Sequence, residues 1–279
     1  MLVRVEVRTS QGSLLTLPLD DTTSGLIIEE IEGLDPVNAT LVSSSFAGQD
    51  GEQYHSARRE SRNIKLKIGL EPDYVDTSVA DLRKRLYGFF MPKSEVSLRF
   101  VMDDDLYVDI LGRVETFETP LFTQEPEADI SLMCFDPDFV DPNPVSLTGV
   151  MSVTSSSFTD AVDTIISYAG TVETGGVFTI RPDRSVTAFT FYLRPPDGTL
   201  RQLDFSIPLV AGDTLEISTL TGAKGVTLTR ANVDTSALYG VSPQSAWLEF
   251  QPGDNYLRLY LEGTPIPYDL TYDTRYGGL

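Results

Sequence analysis

Nucleophilic catalysis needs a base beside the nucleophile and a third group to orient it. The 279-residue sequence offers one imidazole, His55, and one thiol, Cys134. His55 ends Asp50-Gly51-Glu52-Gln53-Tyr54-His55, a polar, glycine-containing stretch that reads as an exposed loop. Cys134 continues the apolar phase of Ile130 and Leu132, where a free cysteine behaves as a small hydrophobe and is expected in the core. So few His and Cys exclude an internal disulfide, a thiolate-built zinc or iron-sulfur site and a His-rich metal centre. Carboxylates abound, 41 in all, and none of the possible pairs stands out as the acid and base of a glycosidase. No glycine-rich stretch ends in Gly-Lys-Ser/Thr, and Gly222-Ala223-Lys224-Gly225 reads as a turn. Asp103-Asp104-Asp105 lacks the alternating ligands and closing glutamate of a calcium loop; between two alternating runs it reads as the turn of a hairpin. Trp247 with Tyr239, Tyr256, Tyr260, Tyr268, Tyr272 and Tyr276 makes the carboxyl-terminal part aromatic-rich. Such rings stack on sugars, and more often fill cores and interfaces. No catalytic, cofactor-binding or metal-ligating residue is assigned, and no enzyme activity or cofactor is expected.

The elements that carry these residues are mostly strands. Val3, Val5 and Val7 alternate with Arg4, Glu6 and Arg8; Ile64, Leu66, Ile68 and Leu70 alternate with Lys65 and Lys67; Val96, Leu98, Phe100 and Met102 continue the theme. Val108 with Ile110, and Ala128 through Cys134, do the same, each run predicting a half-buried strand. One segment breaks the period. Val79, Leu82, Leu86 and Phe89 fall at helical spacing, with Asp76 or Ser78 as cap, Asp81 in the first turn, and Gly88 and Pro92 closing it. Its Arg83-Lys84-Arg85 cluster reads as a solvated face or as a contact for an acidic neighbour, another copy of the chain included.

Prolines interleaved with aspartates from Asp136-Pro137-Asp138 to Asp141-Pro142-Asn143-Pro144 form the best linker, which places domains at 1–143 and 144–279. The second half returns to strands at Phe189–Leu193, Leu203–Ile207, Leu215–Ile217 and Leu257–Leu261. Pro195-Pro196-Asp197-Gly198 and Pro252-Gly253-Asp254-Asn255 supply turns, and the spacing predicts a sandwich or jelly roll. No repeat of 20 to 50 residues occurs. No window approaches the roughly 18 apolar residues of a membrane helix, so no membrane insertion is expected.

Net charge is −20, with 27 acidic and 13 basic residues in 1–143 (−14) and 14 and 8 in 144–279 (−6). Such acidity argues against tight binding of nucleic acid and suits a passage through which it slides without sticking.

Several stretches recur in a familiar order. Gly25-Leu26-Ile27-Ile28-Glu29-Glu30-Ile31-Glu32-Gly33-Leu34-Asp35 precedes Phe46-Ala47-Gly48-Gln49-Asp50-Gly51 and Ser61-Arg62-Asn63-Ile64. The helix from Asp81 to Tyr87, then Gly112-Arg113-Val114-Glu115, then Glu125-Pro126 ahead of Cys134-Phe135-Asp136-Pro137 come next. Tyr168 to Gly175, a Leu-x-x-x-Pro-Gly-x-Asn turn from Leu248 to Asn255, and Arg275-Tyr276-Gly277-Gly278-Leu279 complete the series. This order resembles the distal tail proteins of long-tailed, siphovirus-type bacteriophages. The resemblance implies a mainly β structural protein: a tail-tube-like sandwich or split barrel with one flanking α-helix, closing into a homo-hexameric ring, then a galectin-like sandwich that decorates it. It implies assembly in the host cytoplasm and a place at the distal end of the tail in the virion. There the ring joins the tail tube protein and the tape-measure end to the tail-tip protein, with DNA passing through the lumen unbound. Phe46 to Arg59 then becomes a mobile arm that orders on a neighbouring subunit. The alternative is a carbohydrate-binding adhesin of the tail tip, with Trp247 and nearby tyrosines as the platform for a host cell-wall glycan; the third is an acidic glycan hydrolase.

Overall fold

The computed structural model describes the chain apart from residues 20–22, 49, 74, 104–105, 121–124 and 152–163. Two units emerge, Met1–Pro142 with Tyr276–Leu279, and Asn143–Arg275. The last four residues, read from sequence as part of the second domain, belong to the first: Leu279 N donates to Leu34 O at 3.1 Å, and Tyr276 and Leu279 pack on that unit's core.

In the first unit alternation becomes antiparallel sheet. The strands are β1 (Leu2–Thr9), β2 (Leu14–Pro18), β3 (Leu26–Glu32), β4 (Ala39–Ser44), β5 (Gln53–Arg59) and β6 (Arg62–Leu70), and after the helix β7 (Glu95–Met102), β8 (Tyr107–Glu118), β9 (Glu127–Cys134) and β10 (Phe139–Val140). The main path runs β2-β1-β7-β8-β9-β6-β3, and β2 approaches β3, so one curved sheet nearly closes on itself. Val5, Val7, Ile64, Leu66, Ile68, Leu98, Phe100, Ile130 and Leu132 all point into its concave side. Helix α1 (Val79–Tyr87) plugs that side with Leu82 and Leu86. Its start is fixed by a capping box in which the Ser78 hydroxyl accepts from Asp81 N while the Asp81 carboxylate accepts from Ser78 N. The β7–β8 hairpin forms where the aspartate run predicts one, although Asp104 and Asp105, like Gln49, lie outside the described residues.

A second, two-stranded sheet stands apart. Among the described residues β4 and β5 pair only with each other, and every residue of β5 is exposed. His55 therefore lies in a strand, not a loop. The sequence concealed it because Gln53 to Arg59 has no apolar alternation; cross-strand hydrogen bonding alone makes it extended.

The second unit is a sandwich. Strands β11 (Val145–Val150), β12 (Thr164–Tyr168), β13 (Val177–Ile180), β14 (Val186–Arg194), β15 (Arg201–Leu209), β16 (Thr214–Ser218), β17 (Gly225–Arg230), β18 (Val233–Ser236), β19 (Gly253–Tyr260) and β20 (Pro267–Tyr272) form two sheets, ordered β11-β20-β13-β16-β17-β18 and β12-β19-β14-β15. Between them Phe189 stacks on Phe205 with ring centres 4.7 Å apart, and Phe178 meets Phe191 at 5.0 Å. The Leu-x-x-x-Pro-Gly-x-Asn turn closes on its own asparagine: buried Asn255 accepts from Gln251 N at 2.9 Å and donates to Gln251 O at 2.7 Å.

Candidate assembly surfaces

Arg62 occupies the buried phase of β6, in register with Ile64, Leu66 and Ile68, and is only 1% exposed. A charge there is costly unless its donors are met. They are. Nη1 donates to Gly33 O at 2.5 Å and Asp35 O at 2.7 Å, Nε to Pro137 O at 2.7 Å, and Nη2 to Gly277 O at 2.6 Å. The guanidinium also lies 4.4 Å from the centre of the Phe139 ring. Burial pushes its pKa down, but a guanidinium keeps its proton under any ordinary condition. Gly33 sits at φ +89°, and a Cβ there would fall 2.0 Å from Asn63 O, so only glycine brings this carbonyl to the arginine. Four stretches of the sequence resemblance, around Gly33, Arg62, Pro137 and Gly277, thus meet at one cation. Alternation alone could have flagged it, as a charged residue on the same phase as Ile64, Leu66 and Ile68.

Beside this junction Arg59 pairs with Asp138 through both carboxylate oxygens, the second at 3.0 Å, and Asp138 is only 3% exposed. The pair fixes the base of the β4–β5 hairpin. Beyond it Leu41 and Tyr54, which share one face through the pairs Leu41–Ala57 and Ser43–Tyr54, are 66% and 62% exposed. An isolated two-stranded hairpin is marginal in water. Leu41 and Tyr54 leave apolar surface open on one of its faces.

Two further surfaces carry charge. Lys84 and Arg85 are exposed at the carboxyl end of α1 and make no ion pair among the described residues. On the solvent face of β3, β6, β9 and β8 a groove of about 450 Å³ is lined by Glu30, Glu32, Glu115, Glu118 and Asp129 around Lys65 and Lys67. The lysines are already engaged, Lys65 with Glu32 at 2.7 Å and Lys67 with Glu127 at 2.8 Å, and the hydrogen-bonded carboxylates raise both ammonium pKa values. Glu30, Glu118 and Asp129 have no ion-pair partner within 4 Å among the described residues.

The residues singled out for chemistry stay apart. His55 Nε2 lies 2.7 Å from the Ser44 hydroxyl, a nucleophile–base spacing, but His55 is exposed on the hairpin, Ser44 is half-buried, and no carboxylate orients the ring among the described residues. Cys134 is fully buried, and burial pushes its thiol up to about 11, so it is inert core as expected. Asp103 receives the amino group of Met1. The expected aromatic platform is dispersed. Tyr268 and Tyr272 are buried, Trp247 packs against the core, Tyr276 belongs to the first unit and Tyr239 is exposed alone after β18. Tyr256 and Tyr260 alternate with core residues Leu257 and Leu259 and so face outward, with Arg194 4.9 Å from the Tyr256 ring. Aromatic content does not reveal the strand phase that separates core rings from surface ones.

Residues 169–276 match the family model described as siphovirus-type tail component, C-terminal domain. No curated protein matches the chain. Among solved structures the chain is similar to the Dit protein (gp 19.1) of SPP1, described as a paradigm of the hub adsorption apparatus in phages infecting Gram-positive bacteria. The identity is 14%, 97% of this chain and 98% of that one are covered, and the TM-score is 0.65. It is also similar to a chain of the phage P2 baseplate in its activated conformation with calcium, at 9% identity, 100% coverage of both chains and a TM-score of 0.48. Residues 169–276 thus resemble a siphovirus-type tail component domain, and over nearly its whole length the chain has the fold of the Dit protein of SPP1.

Proposed function

We propose that the protein is a structural hub at the distal end of a siphovirus-type tail. Copies of the first unit close into a hexameric ring, the galectin-like second unit decorates it, and the ring joins the tail tube and tape-measure end to the tip protein. The observation that carries this reading is the β4–β5 hairpin, a sheet that pairs with no other strand among the described residues and exposes Leu41 and Tyr54 on one face, on a fold shared with a hub protein. Heterologous contacts repeated by rotation close rings and cover such elements. The acidity of the first unit suits a lumen that DNA traverses without adhering. Purified protein imaged by negative stain is expected to show six-fold rings with an open centre; monodisperse single copies would overturn the reading.

A second reading, glycan adhesion at the tail tip, draws on the outward Tyr256, Tyr260 and Arg194 rather than on Trp247. Because Trp247 packs on the core, Trp247→Ala tests stability; Tyr256→Ala is the informative variant, and unchanged retention on host cell-wall polysaccharide would remove this face from consideration.

A further inference from the structure

We infer that the basic end of α1 of one copy docks in the acidic groove on the β3-β6-β9-β8 face of the next copy, an inference that rests on the ring proposed above. Each surface is half of a complementary pair. Lys84 and Arg85 are exposed cations without ion pairs among the described residues, and Tyr87, 39% exposed, adds an apolar edge beside them. The groove has surplus carboxylates in Glu30, Glu118 and Asp129, because its lysines are already paired. Although Tyr87 meets Phe117 edge-on at 5.1 Å beside the rim of the groove, no ion pair joins Lys84 or Arg85 to its carboxylates within one chain among the described residues. Two different patches on one subunit give a head-to-tail contact, which rotation can close into a ring. The occupant is a second copy of the chain because the chain carries both halves of the match, the basic end of α1 and the carboxylate-lined groove. Subunits of net charge −20 repel one another, and a contact that sets cations against uncompensated carboxylates lowers that repulsion where the surfaces meet.

The test reverses each side separately, in full-length protein, followed by native mass spectrometry. Lys84→Glu with Arg85→Glu sets acid against acid, and Glu30→Lys with Glu118→Lys and Asp129→Lys sets base against base, so each variant alone is expected to stay single. Mixed in equal amounts they are expected to regain rings, because alternation restores complementarity at every junction. Lys84→Gln with Arg85→Gln, which removes charge without adding repulsion, is expected to weaken assembly roughly tenfold. Circular dichroism on each variant checks that the fold is intact. Rings formed by either reversed variant alone, or a folded mixture that stays dispersed, would overturn this contact and leave the ring standing. A wild-type protein that forms no rings would overturn the ring itself, and this contact with it.

Discussion

The Arg62 guanidinium donates to the Gly277 carbonyl at 2.6 Å, joining residues 215 apart in sequence. The same side chain serves Gly33, Asp35 and Pro137, so it replaces water for four backbone acceptors at once. Arg62→Met keeps the apolar stem and strands those carbonyls, at a cost expected near 3–5 kcal/mol. Arg62→Lys, a point charge in place of a planar fork, is expected to recover only part of the loss. Urea unfolding monitored by far-ultraviolet circular dichroism measures both. A variant as stable as wild type would mean the carbonyls find other donors.

The sheet, the helix and its cap were legible because burial repeats every second or every 3.6 residues, and apolar side chains report that directly. Cys134 was legible for the same reason. The hairpin was not: Gln53 to Arg59 buries nothing, so its pairing leaves no hydrophobic trace. The return of Tyr276–Leu279 to the first unit was equally silent, since backbone carbonyls on one arginine hold part of it and carbonyls have no sequence signature. Likewise Trp247 and the tyrosines looked like one cluster only because they are near in sequence.

Acid sensitivity should concentrate at Asp213. This carboxyl is 2% exposed, accepts from Arg230 Nε at 2.9 Å and Nη2 at 2.6 Å, and accepts from Val210 N at 2.8 Å. The Arg230 hydrogen bonds hold its pKa below the usual carboxylate range, outweighing burial. A lowered folded-state pKa means the stabilisation is complete above the unfolded value of about 3.9 and is lost as pH falls through the folded one. Asp213→Asn is expected to cost about 1–3 kcal/mol at pH 7. Denaturation curves from pH 7 to 2 should show the gap to wild type narrowing below about pH 4; a gap independent of pH would assign the cost to packing.

The β17–β18 hairpin turns through Ala231 and Asn232, both left-handed at φ 51° and 61°. A Cβ crowds the following carbonyl here, and asparagine offsets that cost because its short polar side chain hydrogen-bonds the local backbone, as alanine cannot. Ala231→Asn is expected to stabilise by about 0.5–1 kcal/mol, raising Tm by a few degrees. Calorimetry on the full chain measures it, and a lowered Tm would mean Ala231 makes a contact worth more than its strain.

The hairpin β4–β5 separates folding from assembly. Leu41 and Tyr54 are mostly exposed, so Leu41→Asp with Tyr54→Ser removes little buried surface and is expected to change stability by less than about 0.5 kcal/mol. If the shared apolar face of these residues is covered by a neighbouring copy, the same variant loses that burial in every junction of the ring and adds an unpaired acid to each. Ring particles should then give way to single copies at unchanged Tm, seen by native mass spectrometry beside a thermal melt. Rings that persist would show the arm to be free in the assembly, leaving its apolar face for the tip protein or the tube; a fallen Tm would show instead that the arm folds back on its own chain.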